Sequence, residues 1–539
     1  MRAALFLSQK LRHARLHSVA LSTAPSATIA FAYARDTSPR SRPCCMRRPP
    51  RTRQDARRCF RATCRKENPV LIGIGILVGA TLAHYLVRAA QRIAKADKKK
   101  REGKEVTDDE EEERDHEESE GREEAGANVR REFPVLGLDL GSSQACVAFV
   151  AAKERAPEVV ENHEGRRSTP AFIAYEDDHL VVGQLARRAR WREPAKVGFN
   201  IQRLLGLAAY EDKVRPLFPF AVDAREGSVD GDLSPLVMRL KGGRALTPLE
   251  ASARVLEELV QSAEHKLHTT PGFAILAVPS YFGEGAKRQA LKAAADATGL
   301  SVGTEEGQGG GLAVVEDAVA TLVCAHYSGA VSDEEAFFGK PWLVLDVGGL
   351  NAQASVVAMD PEQGLGVRAN RTTWAVGGEQ LDGVLVQHLI SDFKEKHGGL
   401  DLGTDYLALE RLHEAAEASK QELSLSPSST LRLPFITADH RGPKHLDATV
   451  SRAALERLAL PVLDQLKAPV VEALRASGVG LEGLQGVLLA GGSTRLPFLG
   501  EFVRSRLTLG KVRVLSVEDV PPEEVAAVGA AYYGRQLVE

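Results

Sequence analysis

The sequence contains two copies of one pattern, in which a short apolar strand runs into an aspartate and a glycine turn, and a second apolar run follows. The first copy covers residues 135–143 and continues at 145–150, and the second covers 343–350 and continues at 354–359. A third glycine turn lies at 491–495. Glycine lets backbone N–H groups approach phosphate oxygens closely, and an aspartate beside a phosphate requires a divalent cation between them. The pattern therefore predicts one Mg²⁺-nucleotide clamped between two related lobes.

The composition is that of a large globular protein with segregated charge. The chain has 539 residues, of which 44 % are hydrophobic, which is enough for several domains and a sizeable core. Residues 1–68 are strongly basic and residues 108–124 are mostly acidic, while the rest is mixed. We therefore expect no nucleic-acid-binding face. Only Cys146 and Cys324 fall in the part expected to fold, so the sequence predicts no disulfide framework.

The basic leader, residues 1–68, begins like an organelle transit peptide. It is rich in Arg, Ala, Ser and Leu and has no acidic residue before Asp36. The alternatives are an unstructured Arg/Pro-rich extension and a true start at Met46.

Residues 69–87 form an apolar stretch without Asp, Glu, Lys or Arg. Its nineteen residues would extend roughly 28 Å as a helix, close to the ~30 Å hydrocarbon thickness of a bilayer. We predict a transmembrane helix, with a buried helix as the alternative. Basic residues flank both ends, so the orientation stays open. Residues 88–132 turn from basic to acidic with few large apolar residues, which predicts a disordered tether.

From residue 133 onward, β-type runs alternate with amphipathic helices. One predicted helix carries apolar residues at helical spacing from Val255 to Leu267, and a buried strand is predicted at 274–278. This alternation predicts an α/β architecture.

Six segments of this region match the motifs of a known family in order and spacing. They are 139–148, 161–170, 278–290, 377–382, 433–445 and 491–497. Together they resemble the nucleotide-binding domain of the 70-kDa heat-shock (DnaK-type) chaperones, which belong to the actin-like ATPase superfamily. The resemblance implies that residues 133–539 form a two-lobed actin-like fold made of duplicated ribonuclease-H-like halves, with ATP or ADP and Mg²⁺ as ligands.

The resemblance also implies roles for individual residues. Asp139 and Asp346 would hold Mg²⁺ through its waters. The outer phosphates would lie on Gly141, Ser142, Ser143, Gly348 and Gly349. The nucleoside would contact Glu417, Lys420, Ser424, Gly491, Gly492, Ser493 and Arg495, with Glu523 where the family has an aspartate.

Three departures from the family pattern surround the transferred phosphate. Gln202 replaces a lysine, and the loss of one such electrostatic contact costs roughly 3–4 kcal/mol, or 10²–10³ in rate. Arg203 follows it, but a shift of one residue points its side chain elsewhere. The family's catalytic glutamate aligns with Asp317, or with Glu316 after a slip of one residue. Just upstream, the glycine-rich run 303–311 is longer than usual and predicts a flexible loop.

The second phosphate turn is the third departure. The family has three glycines followed by threonine, phenylalanine and aspartate, whereas Gly349 is followed here by Leu350, Asn351, Ala352 and Gln353. The threonine hydroxyl and the carboxylate are both missing. Leu350 adds bulk where close backbone approach is expected.

These departures favour a nucleotide binder with weak or lost hydrolysis. The first hypothesis is a membrane-tethered regulator or scaffold related to chaperones, read by J-domain or nucleotide-exchange co-chaperones. The alternatives are a slow, active Mg²⁺-ATPase and a small-molecule kinase on the same fold. The chain stops soon after 526–533, which matches the family's last nucleotide-domain helix, so we expect no peptide-binding domain or peptide cleft. The plan resembles the truncated microsomal stress-type members. The leader favours mitochondria, with the endoplasmic reticulum as the alternative.

Overall fold

The computed structural model of the protein describes most of the chain after residue 133. It covers residues 134–151, 156–177, 179–207, 218–225, 234–302, 311–331, 337–360, 364–518 and 520–538. All of these belong to one contact unit, Glu105–Glu539. The predicted leader (1–68), apolar stretch (69–87) and tether (88–132) lie outside the described residues, as does most of the glycine-rich run 303–311. A search of the described part of the chain finds no helix that is both long and apolar enough to cross a membrane.

Residues 134–331 form a mixed α/β lobe, called the first lobe here. Its strands are β1 (Val135–Leu140), β2 (Gln144–Val150), β3 (Glu158–Val159), β4 (Thr169–Pro170), β5 (Ile173–Glu176), β6 (His179–Val182), β7 (Val197–Gly198), β8 (Ala221–Ala224), β9 (Leu236–Arg239), β10 (Phe273–Val278) and β11 (Gly311–Glu316). Its helices are α1 (Gln184–Arg192), α2 (Pro248–Leu267), α3 (Glu284–Thr298) and α4 (Asp317–Tyr327). The main sheet has the order β11-β10-β1-β2-β3, and β4 also pairs with β2.

Residues 337–518 form the second lobe, and a final helix follows it. The strands are β12 (Trp342–Val347), β13 (Ala352–Asp360), β14 (Gly364–Thr373), β15 (Ser428–Asp439), β16 (Gly442–Ser451), β17 (Gly486–Ala490) and β18 (Val514–Ser516). The helices are α5 (Gly378–Lys396), α6 (Tyr406–Leu425), α7 (Arg452–Leu463), α8 (Lys467–Ser477), α9 (Pro497–Phe502) and the final α10 (Val525–Val538). The main sheet has the order β14-β13-β12-β17-β18.

The two main sheets repeat one arrangement, which confirms the predicted duplication of the strand–turn–strand unit. In each, a central strand pairs antiparallel with the strand that follows it and parallel with a later one. Asp139 is the fifth residue of β1 and pairs with Ala277 on the parallel neighbour. Asp346 is the fifth residue of β12 and pairs with Ala490 on its parallel neighbour. The two aspartates therefore occupy equivalent positions at the carboxyl ends of the central strands.

The first sheet is buried on both faces, because alternate residues of its strands enter different apolar clusters. Leu136 and Leu138 pack in a cluster that includes the inner face of α2, where the residues predicted from helical spacing are buried from Val255 to Ala263 and Leu267 is partly buried. Val135 and Ile275 pack on the opposite side, against α4 and α10. Alternation of side chains across a strand produces this division.

Helices α4 and α10 also join the lobes. The apolar cluster that holds them includes Val344 and Leu488 from the second sheet. Gly137 of β1 lets α10 lie directly against the first sheet, since a Cβ there would come within 2.1 Å of the Ala527 carbonyl oxygen. The two sheets thus share one core, which fixes the ends of β1 and β12 relative to each other.

Candidate functional site

A cleft of about 600 Å³ lies between the lobes, at the carboxyl ends of the central strands. The site residues predicted from the resemblance line it, apart from Gln202 and Glu316. They are Asp139, Gly141, Ser142, Ser143, Asp317, Asp346, Gly348, Gly349, Glu417, Lys420, Ser424, Gly491, Gly492, Ser493, Arg495 and Glu523. The fold therefore brings together residues that are up to about 380 positions apart in the sequence, while the role of each stays a prediction.

The glycine turns come close to neighbouring atoms where side chains would not fit. A Cβ on Gly349 would lie 2.0 Å from the Ser143 Oγ in the facing turn. Gly491 has φ of +83°, and a Cβ there would lie 2.2 Å from the Asp346 Oδ1. Both positions need glycine on steric grounds. The sequence pattern predicts that a phosphate-bearing ligand lies at this close approach.

Three carboxylates lie together at the base of the cleft, where Asp317 is buried and Asp139 and Asp346 are partly buried. Burial raises the pKa of Asp139 well above its usual range, and repulsion from Asp317 and Asp346 adds to the increase. Burial, followed by repulsion from Asp317, raises the pKa of Asp346 to about 7. Burial also raises the pKa of Asp317, although the hydrogen bonds from Ser280 and Gln353 oppose it. The base of the cleft is therefore a site where extra positive charge would be stabilising.

A divalent cation fits these residues. The Oδ1 atom of Asp346 is buried without a hydrogen-bond partner, which is costly unless a ligand satisfies it. Mg²⁺ takes one or two protein carboxylates and keeps several waters. Within the described residues, no group of three or more His, Cys, Asp or Glu side chains could hold a metal ion directly. Asp139 and Asp346 are the residues that would hold Mg²⁺, through its waters.

The structure distinguishes the two candidates for the catalytic glutamate position. Asp317 begins α4 and lines the cleft, whereas Glu316 ends β11 and pairs with Lys287 at 3.0 Å. Asp317 uses both carboxylate oxygens. Its Oδ1 accepts from the Ala318 N–H at 2.7 Å and from both the N–H and the hydroxyl of Ser280, and its Oδ2 accepts from the Gln353 amide at 2.9 Å. Both oxygens of Asp317 therefore already accept hydrogen bonds from groups of the protein.

Gln202 lies beside the first phosphate turn but does not line the cleft. It belongs to the short helical turn Ile201–Leu204 and is 2 % exposed. Its amide nitrogen donates to the carbonyl oxygens of Leu140, at 3.1 Å, and Gly141. Its Oε1 is buried without a partner. Gln202 therefore braces the backbone of the turn and brings no charge to the cleft.

Arg203 does not line the cleft. Its guanidinium carbon lies 4.1 Å from the ring centroid of Trp374 in the second lobe. This is within the range of a cation–π interaction. The neighbouring arginine therefore does not replace the missing lysine.

The cationic side chains that line the cleft are all paired with carboxylates. Lys420 donates to Asp382 at 2.8 Å and to the Gly378 carbonyl oxygen at 2.9 Å. Arg495 binds Glu523 through two nitrogens, at 2.9 and 2.7 Å. The third is Arg187, which donates to Glu417. Hence, in the described part of the cleft, every lysine and arginine that lines the wall beside the phosphate turns already pairs with a carboxylate.

The altered residues of the second turn bridge the lobes, which sequence reasoning missed. The Ser142 hydroxyl donates to the Asn351 Oδ1 at 3.2 Å, and the Gln353 amide donates to Asp317. The side chain of Leu350 is buried in the first-lobe core cluster and is not among the cleft-lining groups. The expectation that Leu350 adds bulk to the phosphate site is therefore wrong, because its side chain turns into the neighbouring lobe.

A seam between α1 and α6 joins the lobes at another edge of the cleft. Trp191 stacks on His413, with ring centroids 3.7 Å apart and planes 8° apart. Ion pairs flank this stack: Arg187–Glu417, Arg188–Glu414, Arg190–Glu379 and Arg192–Glu410. Arg190 and Glu379 are only 14 % and 21 % exposed, so this pair contributes more than the outer ones.

The seam also affects one titratable group. Burial, followed by the charge of Arg190, lowers the pKa of His413 to about 4. His413 is therefore a neutral stacking partner at neutral pH. Part of the sequence signal for the seam was available, because three of the four arginines on α1 face glutamates spaced by three and four residues on α6, while Arg190 pairs with Glu379 on α5.

The fold and the cleft define the class of this protein: a two-lobed nucleotide-binding domain with duplicated halves, of actin-like type. A protein-family model described as Hsp70 protein matches residues 135–538. The chain therefore belongs to the Hsp70 family. Members of this family bind ATP or ADP with Mg²⁺, and membership indicates a chaperone-related nucleotide-binding protein.

We expect Asp346→Asn to raise the melting temperature of the full-length protein at pH 8 without divalent cations. The pKa of Asp346 is raised from 3.8 to about 7 in the folded state. Below its unfolded-state pKa, the Asp346 carboxyl is protonated in both states and does not destabilise the fold. As the pH rises through the folded-state pKa of about 7, the group must ionise in the folded protein, and this part of the stability is lost. The variant avoids this loss, so we expect a gain of about 3 °C at pH 8 and little gain at pH 4.

Thermal denaturation in a chelating buffer measures this effect. Asp447→Asn is the matched control, since Asp447 is an exposed carboxylate in β16, and it should change neither value. An equal gain at pH 4 and pH 8, or a loss at pH 8, would contradict the electrostatic account.

Proposed function

We propose that this protein binds ATP or ADP with Mg²⁺ in the interlobe cleft and hydrolyses ATP slowly or not at all. It would act as a chaperone-related regulator or scaffold. The proposal rests on the hydrogen bonds that two residues beside the phosphate turns make within the protein. Gln202 bonds to the turn's own carbonyl oxygens, and Asp317 has both oxygens engaged. The residues proposed to hold the ligand line the cleft, whereas the residues at the proposed reacting positions are substituted or already hydrogen-bonded.

Binding is supported by contacts that are spread along the cleft. The glycine turns provide close backbone approach, and the unpartnered Asp346 oxygen fits a cation. Bound Mg²⁺ would neutralise part of the phosphate charge. Helix α6 lines the cleft with Lys420 and Ser424, and Arg495 is held in one orientation by Glu523. Because many contacts share the binding energy, the loss of a few side chains need not abolish binding.

Hydrolysis depends on fewer groups. Water attack on a phosphate needs positive charge on the transferred group and a positioned water. Relative to the family pattern, Gln202 removes one positive charge and Gln353 removes one negative charge. The net charge near the three buried aspartates is therefore unchanged, so a cation can still be accommodated. What is lost is the lysine and the free carboxylate.

Partners and location are part of the proposal. The seam between α1 and α6 crosses the cleft, so a J-domain or nucleotide-exchange protein that engages either lobe would act on cleft opening. Residues 69–87 would anchor the chain in a membrane, with the mitochondrion favoured by the leader and the endoplasmic reticulum as the alternative. Nothing in the described residues bears on that anchor.

We expect full-length protein to remain in the membrane pellet after alkaline carbonate extraction. Uncharged residues 69–87 are long enough to span the hydrocarbon region. Deletion of 69–87 should release the protein, and deletion of the acidic stretch 108–124 is the control. Imaging a fusion of residues 1–130 then identifies the organelle. If carbonate released the intact protein into the supernatant, the proposed membrane anchor at residues 69–87 would be wrong.

We expect full-length protein to bind Mg²⁺-ADP at micromolar concentrations in calorimetry and to show no hydrolysis above background in single-turnover assays with ATP. No binding up to millimolar nucleotide would overturn the proposed function. Tight binding with turnover typical of family ATPases would instead favour the slow-ATPase alternative.

We expect Gln202→Lys alone to gain little hydrolysis, because Asp317 remains bonded to Gln353. Gln202→Lys combined with Gln353→Asp restores both charged groups, and we expect a gain of about 10² in the single-turnover rate. Gln421→Lys is the matched control, since it adds the same charge to the cleft wall on α6. A gain of similar size in Gln421→Lys would mean that net charge, rather than placement beside the phosphate turn, limits the rate.

A further inference from the structure

The segment that follows the second glycine turn makes several contacts with the first lobe. The side chain of Leu350 is 7 % exposed and packs in the first-lobe core. Asn351 accepts a hydrogen bond from Ser142, and Gln353 donates one to Asp317. Three of the four residues at 350–353, all of which differ from the family pattern, therefore reach across the lobe boundary.

The backbone of the turn takes part in the same contact. Gly349 lies so close to Ser143 that a Cβ on it would overlap the hydroxyl at 2.0 Å. The two phosphate turns therefore touch directly, and the polar bonds on either side of this point fix their register.

Opening the cleft would break these contacts at a cost. Asn351 and Gln353 are each 6 % exposed, and a buried polar group that loses its partner is strongly unfavourable. Leu350 would move out of an apolar core. The seam between α1 and α6 adds the Trp191–His413 stack at another edge of the cleft. The lobes are thus connected at two separate places by side chains of this chain.

We propose that Leu350, Asn351 and Gln353 are positioning residues that hold the two lobes closed without help from a nucleotide. In this chain, side-chain amides and a leucine take over the bridging that a bound phosphate provides between two such turns. Entry and release of a ligand then require an opening step that the protein itself resists. The inference about closure stands apart from the proposed function, and only its kinetic consequence rests on nucleotide binding.

Hydrogen exchange on the nucleotide-free, full-length protein tests the closure. In Leu350→Gly/Asn351→Ala, backbone amides at 140–145 and 348–353 should exchange about tenfold faster or more than in the parent. Amides of α2 should be unchanged, because α2 lies away from the boundary. Equal exchange at both turns in parent and variant would overturn the proposal.

Asn351→Ala alone provides a milder variant in case the double change impairs folding. It removes the bond from Ser142, and we expect about fivefold faster exchange at the two turns. Gln421→Ala is the matched control, since Gln421 also lines the cleft but bonds to Glu417 on its own helix. If Gln421→Ala accelerates exchange at the turns as much as Asn351→Ala does, the effect is not specific to the bridge.

Stopped-flow binding of a fluorescent ADP analogue gives a second readout. Leu350→Gly/Asn351→Ala should associate and dissociate faster than the parent, because opening is easier. An unchanged association rate in a variant whose turns exchange faster would remove the link between closure and ligand entry. If the parent binds no nucleotide while the exchange result holds, the proposed function fails and the closure stands.

Discussion

The clustering of three largely desolvated aspartates at the meeting point of two duplicated sheets is the constraint on which the rest of this structure depends. Asp139 and Asp346 occupy equivalent ends of β1 and β12, and Asp317 begins α4 between them. Their repulsion and desolvation oppose closure of the lobes. Closure is supported by the apolar core that α4 and α10 share with both sheets, and locally by hydrogen bonds to Asp317. A domain that buries this much negative charge is arranged to receive a cation.

The contacts across the cleft differ in whether they are neutral or ionic. Amide groups such as those of Asn351 and Gln353 make hydrogen bonds without adding charge, so they bridge the lobes without changing the balance around the aspartates. An ion pair at the same depth would carry a larger desolvation cost. The ionic contacts lie instead at the seam, where Arg190 and Glu379 retain partial exposure. The Arg190–Glu379 pair at the seam thus retains more exposure than the two amide bridges, whose residues are each 6 % exposed.

Much of the fold could be read from the sequence, because strand alternation, helical spacing and glycine turns are local signals. The duplicated unit, the α/β alternation and the buried face of α2 follow from short windows. The cleft residues were found through family motifs, which record long-range packing that local patterns do not contain. Contacts that arise only in three dimensions were not predicted: the Trp191–His413 stack, the two amide bridges and the burial of Leu350 in the other lobe. For Leu350, the sequence indicated added bulk, but the direction of a side chain after a tight turn depends on the backbone there. The choice between Asp317 and Glu316 needed the register of β11 against its neighbours.

The two copies of the duplicated unit have diverged unequally. The difference bears separately on the residues proposed for ligand binding and on those proposed for catalysis. The first copy keeps Gly141, Ser142 and Ser143 on the cleft wall, while the second keeps Gly348 and Gly349 and redirects the residues that follow to the first lobe. Binding draws on many weak contacts and survives the loss of some. Catalysis needs groups that act more strongly on the transition state than on the bound ligand, and only a few positions can supply them. Leu350, Asn351 and Gln353 are substitutions of this kind that also contact the first lobe, which is why we propose a closed form that does not depend on chemistry in the cleft. In a domain of the proposed kind, opening of the lobes would control the bound state, and a partner that pulls on α1 or α6 would change that state without any phosphate being cleaved.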